Sequence, residues 1–115
     1  MKRVVRTVCA LVCLVLMLPA AACSDAAPNE ATISIVITGD KVSPNGEMVP
    51  VAEGGKVTID ITSDVAEKIH VHGYEFEWDL APGQSVHHEF TANLRGVYEI
   101  ESHVSGKIIA RLAVK

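Results

Sequence analysis

Three histidines, His70, His72 and His103, are the residues of this sequence best suited to metal chemistry. All 5 histidines of the chain lie between positions 70 and 103, so metal or proton chemistry is expected there. Side chains two residues apart on a strand leave the same face. The imidazoles of His70 and His72 can therefore converge on one ion, and His103, at the end of a later predicted strand, is the candidate third ligand.

Glu101 is a further candidate ligand, because strand alternation places its side chain on the face that carries His103. The alternative for His70 and His72 is that they are half-exposed strand residues that bond to neighbours. His87 and His88 are adjacent and face opposite sides of a regular strand, so they cannot both join one site. One is expected to face solvent and the other to pack near the sheet.

Alternation of period two dominates the chain after its first thirty residues. It is clearest in Val57, Ile59 and Ile61, which share one face of a predicted strand whose other face is polar. The predicted strands cover residues 32–37, 48–52, 56–62, 69–74, 75–80, 84–91, 97–103 and 107–114. Pro50 restricts its strand to a sheet edge. Seven or eight short strands separated by glycine and proline turns predict one all-β domain over residues 32–115, an antiparallel sandwich or a small Greek-key barrel.

The first 22 residues have the features of an export signal. Lys2, Arg3 and Arg6 form a basic start, residues 7–18 form an apolar helical core, and Pro19 precedes a small-residue cleavage site. Cys23 resembles the lipidated cysteine of a bacterial lipobox, although alanine replaces the usual leucine three places earlier. The sequence thus predicts a signal peptide at 1–22, a tether at 23–31 and a lipoprotein of the cell envelope, anchored to the membrane through Cys23.

The alternative is ordinary cleavage nearby, which would leave one unpaired cysteine in an exported protein. Removal of the signal lowers Lys+Arg from 10 to 7 against 14 acids, which gives a net charge of −7. Such a chain repels nucleic acid, so no nucleic-acid partner is expected. The sequence names no protein partner.

A series of short motifs resembles the cupredoxins over residues 33–114, most closely the small exported cupredoxin-like domains of the EfeO type. The strongest motif is Gly96-Val97-Tyr98, which in cupredoxins opens the strand that leads to the copper-binding cysteine. The other motifs, in chain order, are Glu53-Gly54-Gly55-Lys56-Val57, Thr62-Ser63-Asp64, Ala81-Pro82-Gly83 and Phe90-Thr91-Ala92. The resemblance implies a cupredoxin-like Greek-key fold.

Carried over residue by residue, the resemblance implies only part of a copper site. His70 corresponds to the first copper histidine of the family, but Ser102 stands where the family has its cysteine, and no methionine follows His103. A blue-copper centre needs a thiolate beside two imidazoles. The resemblance and the ligand types therefore favour Cu(II), with Zn(II) as competitor, held by His70, His72 and His103 plus water or Glu101.

Three functions are compatible with these residues. The first is a lipid-anchored copper-binding protein that handles metal without blue-copper electron transfer. The second is a metal-free interaction or structural module that uses Tyr74, Phe76 and Trp78, although Phe76 and Trp78 share a face that could equally fill a core. The third, a small metalloenzyme, has least support because no acid-base pair or nucleophile stands out, so an enzyme is not predicted.

Overall fold

A computed structural model describes residues 26–115 of the 115-residue chain. This part forms nine strands, and no helix occurs in it. The strands are β1 (Glu30–Thr38), β2 (Lys41–Ser43), β3 (Glu47–Val51), β4 (Gly55–Ser63), β5 (Glu67–Val71), β6 (Phe76–Leu80), β7 (Ser85–Ala92), β8 (Gly96–Ser102) and β9 (Ile108–Val114). The predicted signal peptide, Cys23 and the start of the predicted tether lie outside the described residues. The last two residues of that tether belong to β1.

Two sheets pack face to face around one core. The four-stranded sheet has the order β2-β1-β4-β7, and the five-stranded sheet has the order β3-β9-β8-β5-β6. We call the face of each sheet that contacts the other sheet its inner face, and the solvent side its outer face. The all-β sandwich predicted from the sequence is confirmed.

Alternating isoleucines and valines produce the inner face of the four-stranded sheet. β1 and β4 lie parallel with Ile33 opposite Ile59 and Ile35 opposite Ile61, and these side chains are at most 2% exposed. Branched side chains suit the pleated, half-buried surface of a sheet. The opposite sheet contributes Ile69, Val71, Ile100 and Leu112 among others, all fully buried.

The sheets differ from the predicted antiparallel arrangement in two ways. Both sheets are mixed, because β1 pairs in parallel with β4 and β3 pairs in parallel with β9. The short strand β2 is an additional element, formed where the sequence indicated only a turn. β3 lies at the edge of its sheet, as Pro50 predicted.

Aromatic rings close one side of the sandwich between the edge strands β6 and β7. The ring of His88 lies 4.4 Å from that of Phe76 and 5.2 Å from that of Trp78, centroid to centroid. Phe76 also contacts Phe90 at 5.1 Å, and all three aromatic residues pack against the core. Their role is therefore to fill the space between two strands that share no ladder, which argues against the recognition surface considered for Phe76 and Trp78.

Residues 26–115 include no helix of the length and apolar character required to cross a membrane.

Candidate metal centre

The antiparallel ladder between β5 and β8 brings the predicted ligands together. His70 lies opposite Glu101, and Ile69 lies opposite Ser102. Beyond the strand ends the pairing continues, because the His72 amide donates to the Glu99 carbonyl at 2.9 Å and the His103 amide donates to the Lys68 carbonyl at 2.8 Å. Residues that are opposite in a ladder share a face.

The three histidines form a cluster on the outer face of the five-stranded sheet. The ring centroids are 4.3 Å apart for His70 and His72, 5.2 Å for His70 and His103, and 6.4 Å for His72 and His103. Each ring offers one nitrogen such that all three nitrogens lie within 4.8 Å of one another. The His70 side chain is 15% exposed and that of His72 is 43% exposed. The cluster is therefore shielded from solvent at His70 and open to solvent at His72.

Two carboxylates hold these imidazoles. Oε2 of Glu101 lies 2.8 Å from Nε2 of His72 and 4.0 Å from Nε2 of His103. Oε2 of Glu75 lies 3.1 Å from Nε2 of His70. Because a carboxylate oxygen accepts a hydrogen bond from a ring N–H, both contacts fix the orientation of a ring that could bind metal.

Glu75 belongs to the candidate metal centre, although it was not identified from the sequence. Its Oε1 accepts a hydrogen bond of 2.9 Å from the Gly73 amide. That bond is the main reason why the pKa of the Glu75 carboxyl is lowered, and the contact with His70 lowers it further. Asn, Asp, Ser and Thr are the usual side-chain acceptors in turns, so no sequence pattern marked Glu75 for this role.

The turn after His72 depends on Gly73. Gly73 has a φ of 80°, and a Cβ added there would lie 2.2 Å from Cδ1 of Tyr98. Glu75 also has a positive φ, of 56°. Glycine therefore lets the chain reverse closely over the Tyr98 ring, directly beside two of the three histidines.

Other acids surround the cluster but have cationic partners. Glu77 pairs with Lys68 at 2.8 Å, and Glu99 pairs with Arg111 at 3.4 Å. Within residues 26–115, Glu101 pairs only with histidines. The Glu101 carboxylate, which contacts two of the three imidazoles, is thus left for histidines or for a bound cation.

The donor set fits a divalent transition metal. Nδ1 of His70 is buried and has no hydrogen-bond partner among the described residues, so this imidazole nitrogen is available to bind a metal ion. Two nitrogens bound to the same ion at about 2.0–2.1 Å lie at most about 4.2 Å apart. The nitrogens, which lie up to 4.8 Å apart, must therefore approach one another by at least roughly 0.6 Å, which side-chain rotations can supply.

His87 and His88 lie on the other sheet and do not join the cluster. His87 faces solvent on β7, where Nδ1 contacts Oδ1 of Asp60 at 2.6 Å. His88 packs among the aromatic rings between the sheets. The predicted division of this pair into one exposed and one packed residue is confirmed.

Ser102 faces the interior, away from the histidine cluster. Its hydroxyl donates to Oε1 of Glu67 at 2.8 Å, and both residues are buried. Ser102 Oγ in turn accepts from the amide and the hydroxyl of Ser105 at 3.0 and 2.9 Å. His70 and Ser102 therefore belong to opposite faces of the sheet, and the geometry does not support matching His70 with the copper histidine that accompanies the family's cysteine.

Fold and site together define a small β-sandwich with a thiolate-free cluster of imidazoles on one sheet. The sequence profile of the cupredoxin-like domain family matches residues 7–114, and the chain belongs to this family. No curated protein matches the chain significantly.

Three solved structures illustrate the structural likeness. A multicopper oxidase crystal structure matches with a TM-score of 0.61 and 20% identity, over 75% of this chain and 42% of that one. A heme-copper terminal oxidase dimer, solved by cryo-EM, matches with a TM-score of 0.57 and 18% identity, over 74% and 65%. The multicopper oxidase mgLAC matches with a TM-score of 0.54 and 16% identity, over 75% and 39%.

The chain spans less than two thirds of the length of each of these three proteins. At such identities the likeness establishes the shared fold. Any activity of this chain has to be argued from its own residues.

Proposed function

We propose that this protein is an exported, lipid-anchored cupredoxin-like protein that binds a copper ion through His70, His72 and His103. Glu101 completes the ligand set or orients His72. The role is metal handling, in which the ion is cargo, and not blue-copper electron transfer. Among cupredoxin-like domains, we place it with the EfeO type on the order of its sequence motifs.

One observation carries this proposal: the imidazoles of His70 on β5 and of His72 and His103, in the turns that follow β5 and β8, offer nitrogens within 4.8 Å of one another. A lone pair of histidines on a strand would be an ordinary feature. A third histidine, contributed by a residue 31 positions later and turned toward the first two, is not required by packing. The buried and unpartnered Nδ1 of His70 supports the same interpretation.

The ligand types favour copper over the other first-row metals. Imidazole and carboxylate ligands without thiolate suit Cu(II) in a tetragonal arrangement, and Cu(II) has the highest affinity of the divalent series. Zn(II) would take the same three imidazoles with water in tetrahedral geometry. Because the cluster is open to solvent at His72 and His103, either metal could take an exchangeable ligand from solvent.

Location on an outer sheet face supports handling over electron transfer. A redox centre benefits from a fixed, shielded ligand set, since its surroundings set the potential. Here two of the three imidazoles are more than one third exposed, and His103 lies on a turn. An incoming ligand can reach an ion held there from solvent.

Cu(II) titration monitored by EPR tests this proposal. The purified protein is expected to give one tetragonal spectrum with nitrogen couplings, which His70→Ala and His103→Ala both change. His87→Ala is the matched control, because His87 is an exposed strand histidine with a carboxylate partner on the other sheet. An identical spectrum in the unaltered protein and all three variants would contradict the proposed site. Tighter binding of Zn(II) than of Cu(II) would identify zinc, and not copper, as the preferred metal.

Membrane attachment is tested by fractionation of cells that express the full chain. The protein is expected in the membrane fraction, and Cys23→Ala is expected to release it or to block its processing. A Cys9→Ala variant serves as control, since Cys9 lies within the predicted signal peptide. Unaltered membrane attachment of Cys23→Ala would exclude the lipid anchor.

A further inference from the structure

A cavity of about 320 Å³ opens at the end of the sandwich near the β1–β2 turn and the turn after β8. Its walls are mainly apolar and include Ile37, Val42, Val65 and Val104. Glu67 and Asp40 also line it. This volume is at the lower limit for small-molecule sites, so the cavity suits a ligand of few atoms.

Glu67 is the unusual member of this wall. It is 6% exposed, although glutamate is rarely buried without a partner. Both of its hydrogen bonds, from the Ser102 hydroxyl and from the Lys68 amide at 2.8 Å each, fall on Oε1. Oε2 accepts no hydrogen bond from any described residue.

No cationic side chain of residues 26–115 forms a salt bridge with Glu67. Lys68, next to Glu67 in sequence, pairs with Glu77, and Lys107 donates to the Asp40 carbonyl. The residue as a whole is buried, but Oε2 keeps contact with solvent at the cavity that Glu67 lines. A cation in the cavity would give this oxygen a charge-assisted partner.

We propose that this cavity binds a small alkylammonium compound, with the ammonium on Oε2 of Glu67 and the alkyl chain against Val42, Val65 and Val104. The site is separate from the histidine cluster, which lies on the outer face of the sheet, and it does not depend on the proposed function. The net negative charge of the chain favours the approach of a cation.

An inorganic cation matches the cavity less well than an organic one. Ca²⁺ takes six to eight oxygen ligands, and Mg²⁺ takes an octahedral set. The hydroxyls of Ser102 and Ser105 are already bonded to each other and to Glu67. The remaining walls are largely carbon, which gains from contact with an alkyl chain.

The test is an NMR titration of the metal-free protein with n-butylammonium, with n-butanol as a neutral ligand of similar size. Saturable shifts of the Val65, Glu67 and Val104 amides are expected for the amine only. Glu67→Gln preserves the acceptor for Ser102 and should weaken binding by at least roughly tenfold, since a charge-assisted bond is lost. Val104→Ala, at a residue that is 66% exposed, removes part of the wall without threatening the fold and should weaken binding severalfold.

Equal shifts with n-butanol, or no saturable shifts at those amides, would overturn the proposal even if Glu67→Gln fails to fold. Undiminished amine binding by a folded Glu67→Gln protein would overturn it as well. Because no copper is present, none of these results bears on the histidine cluster.

Discussion

The hydroxyl of Ser102 donates a hydrogen bond of 2.8 Å to Oε1 of Glu67, on the side of β8 opposite the histidine cluster. Ser102 is the last residue of β8 and is buried, whereas His103 begins the following turn and its imidazole lies in the cluster on the outer face. The two side chains therefore cannot serve one site while the ladder is intact. The cysteine position of the family and the imidazoles of this chain are thus separated by the thickness of a sheet.

Ser102→Cys is therefore expected not to restore a blue-copper centre. A thiolate at position 102 would lie beside Glu67 in the interior, out of reach of His70 and His72. Visible absorption after Cu(II) addition should lack the intense band of a copper–thiolate bond. The EPR spectrum of the variant should match that of the unaltered protein, and an intense blue colour would refute this placement.

Glu101→Gln is expected to weaken Cu(II) binding by at least about tenfold, as loss of a ligand or of a carboxylate that orients a ligand does. Glu99→Gln is the matched control, two residues away on the same face, where the carboxylate pairs with Arg111. In isothermal titration calorimetry, the dissociation constant for Cu(II) should change by no more than about twofold in the Glu99→Gln control. Equal losses in both variants would indicate a general effect of charge and no special role of Glu101.

Gly73→Ala tests the close approach of the turn to Tyr98. A positive φ costs alanine about 1–2 kcal/mol, and overpacking against the Tyr98 ring adds about 1–3 kcal/mol. Gly83→Ala is the control, because Gly83 has a φ of 82° and open space at its Cβ position. Urea unfolding should give Gly73→Ala a free energy of unfolding at least about 1 kcal/mol lower than that of Gly83→Ala. Equal free energies of unfolding would exclude the close approach of residue 73 to Tyr98.

Glu75 should give the turn a response to acid. The Gly73 amide, and secondarily His70, lower the pKa of the Glu75 carboxyl below its ordinary value of 4.5. Stabilisation from this carboxylate is therefore complete above pH 4.5 and is lost as the pH falls through the lower, folded-state pKa. The Gly73 amide proton shift in the metal-free protein should titrate with a midpoint below 4.5, and this titration should disappear in Glu75→Gln.

Period-two alternation was sufficient to predict the all-β sandwich and the shared face of His70 and His72. The buried faces of β1 and β4 follow from alternating isoleucines and valines, and the shared face of His70 and His72 follows from the same rule. The same alternation separates Ser102 from His103, whereas the family comparison placed His70 and the cysteine position in one site. The local pattern is therefore enough to predict which face of the sheet a strand residue occupies.

Contacts between distant segments could not be predicted in this way. The register that sets His103 beside Lys68 joins residues far apart in sequence, and it results from the packing of both sheets. The parallel pairing of β1 with β4 also depends on how strands cross between sheets. The role of Glu75 arises from a turn in which both Gly73 and Glu75 have positive φ values, which alternation along a strand does not predict.

The placement of β9 between β3 and β8 has a consequence for folding kinetics. β9 is the last of the nine strands in residues 26–115, and it pairs in parallel with β3, a strand some sixty residues earlier. Such contacts require long loops to close before they gain any stabilisation, so folding is expected on the millisecond-to-second scale typical of sandwiches. Until β9 docks, the edges of β3 and β8 remain unpaired, and this is the interval in which the chain is most exposed to aggregation.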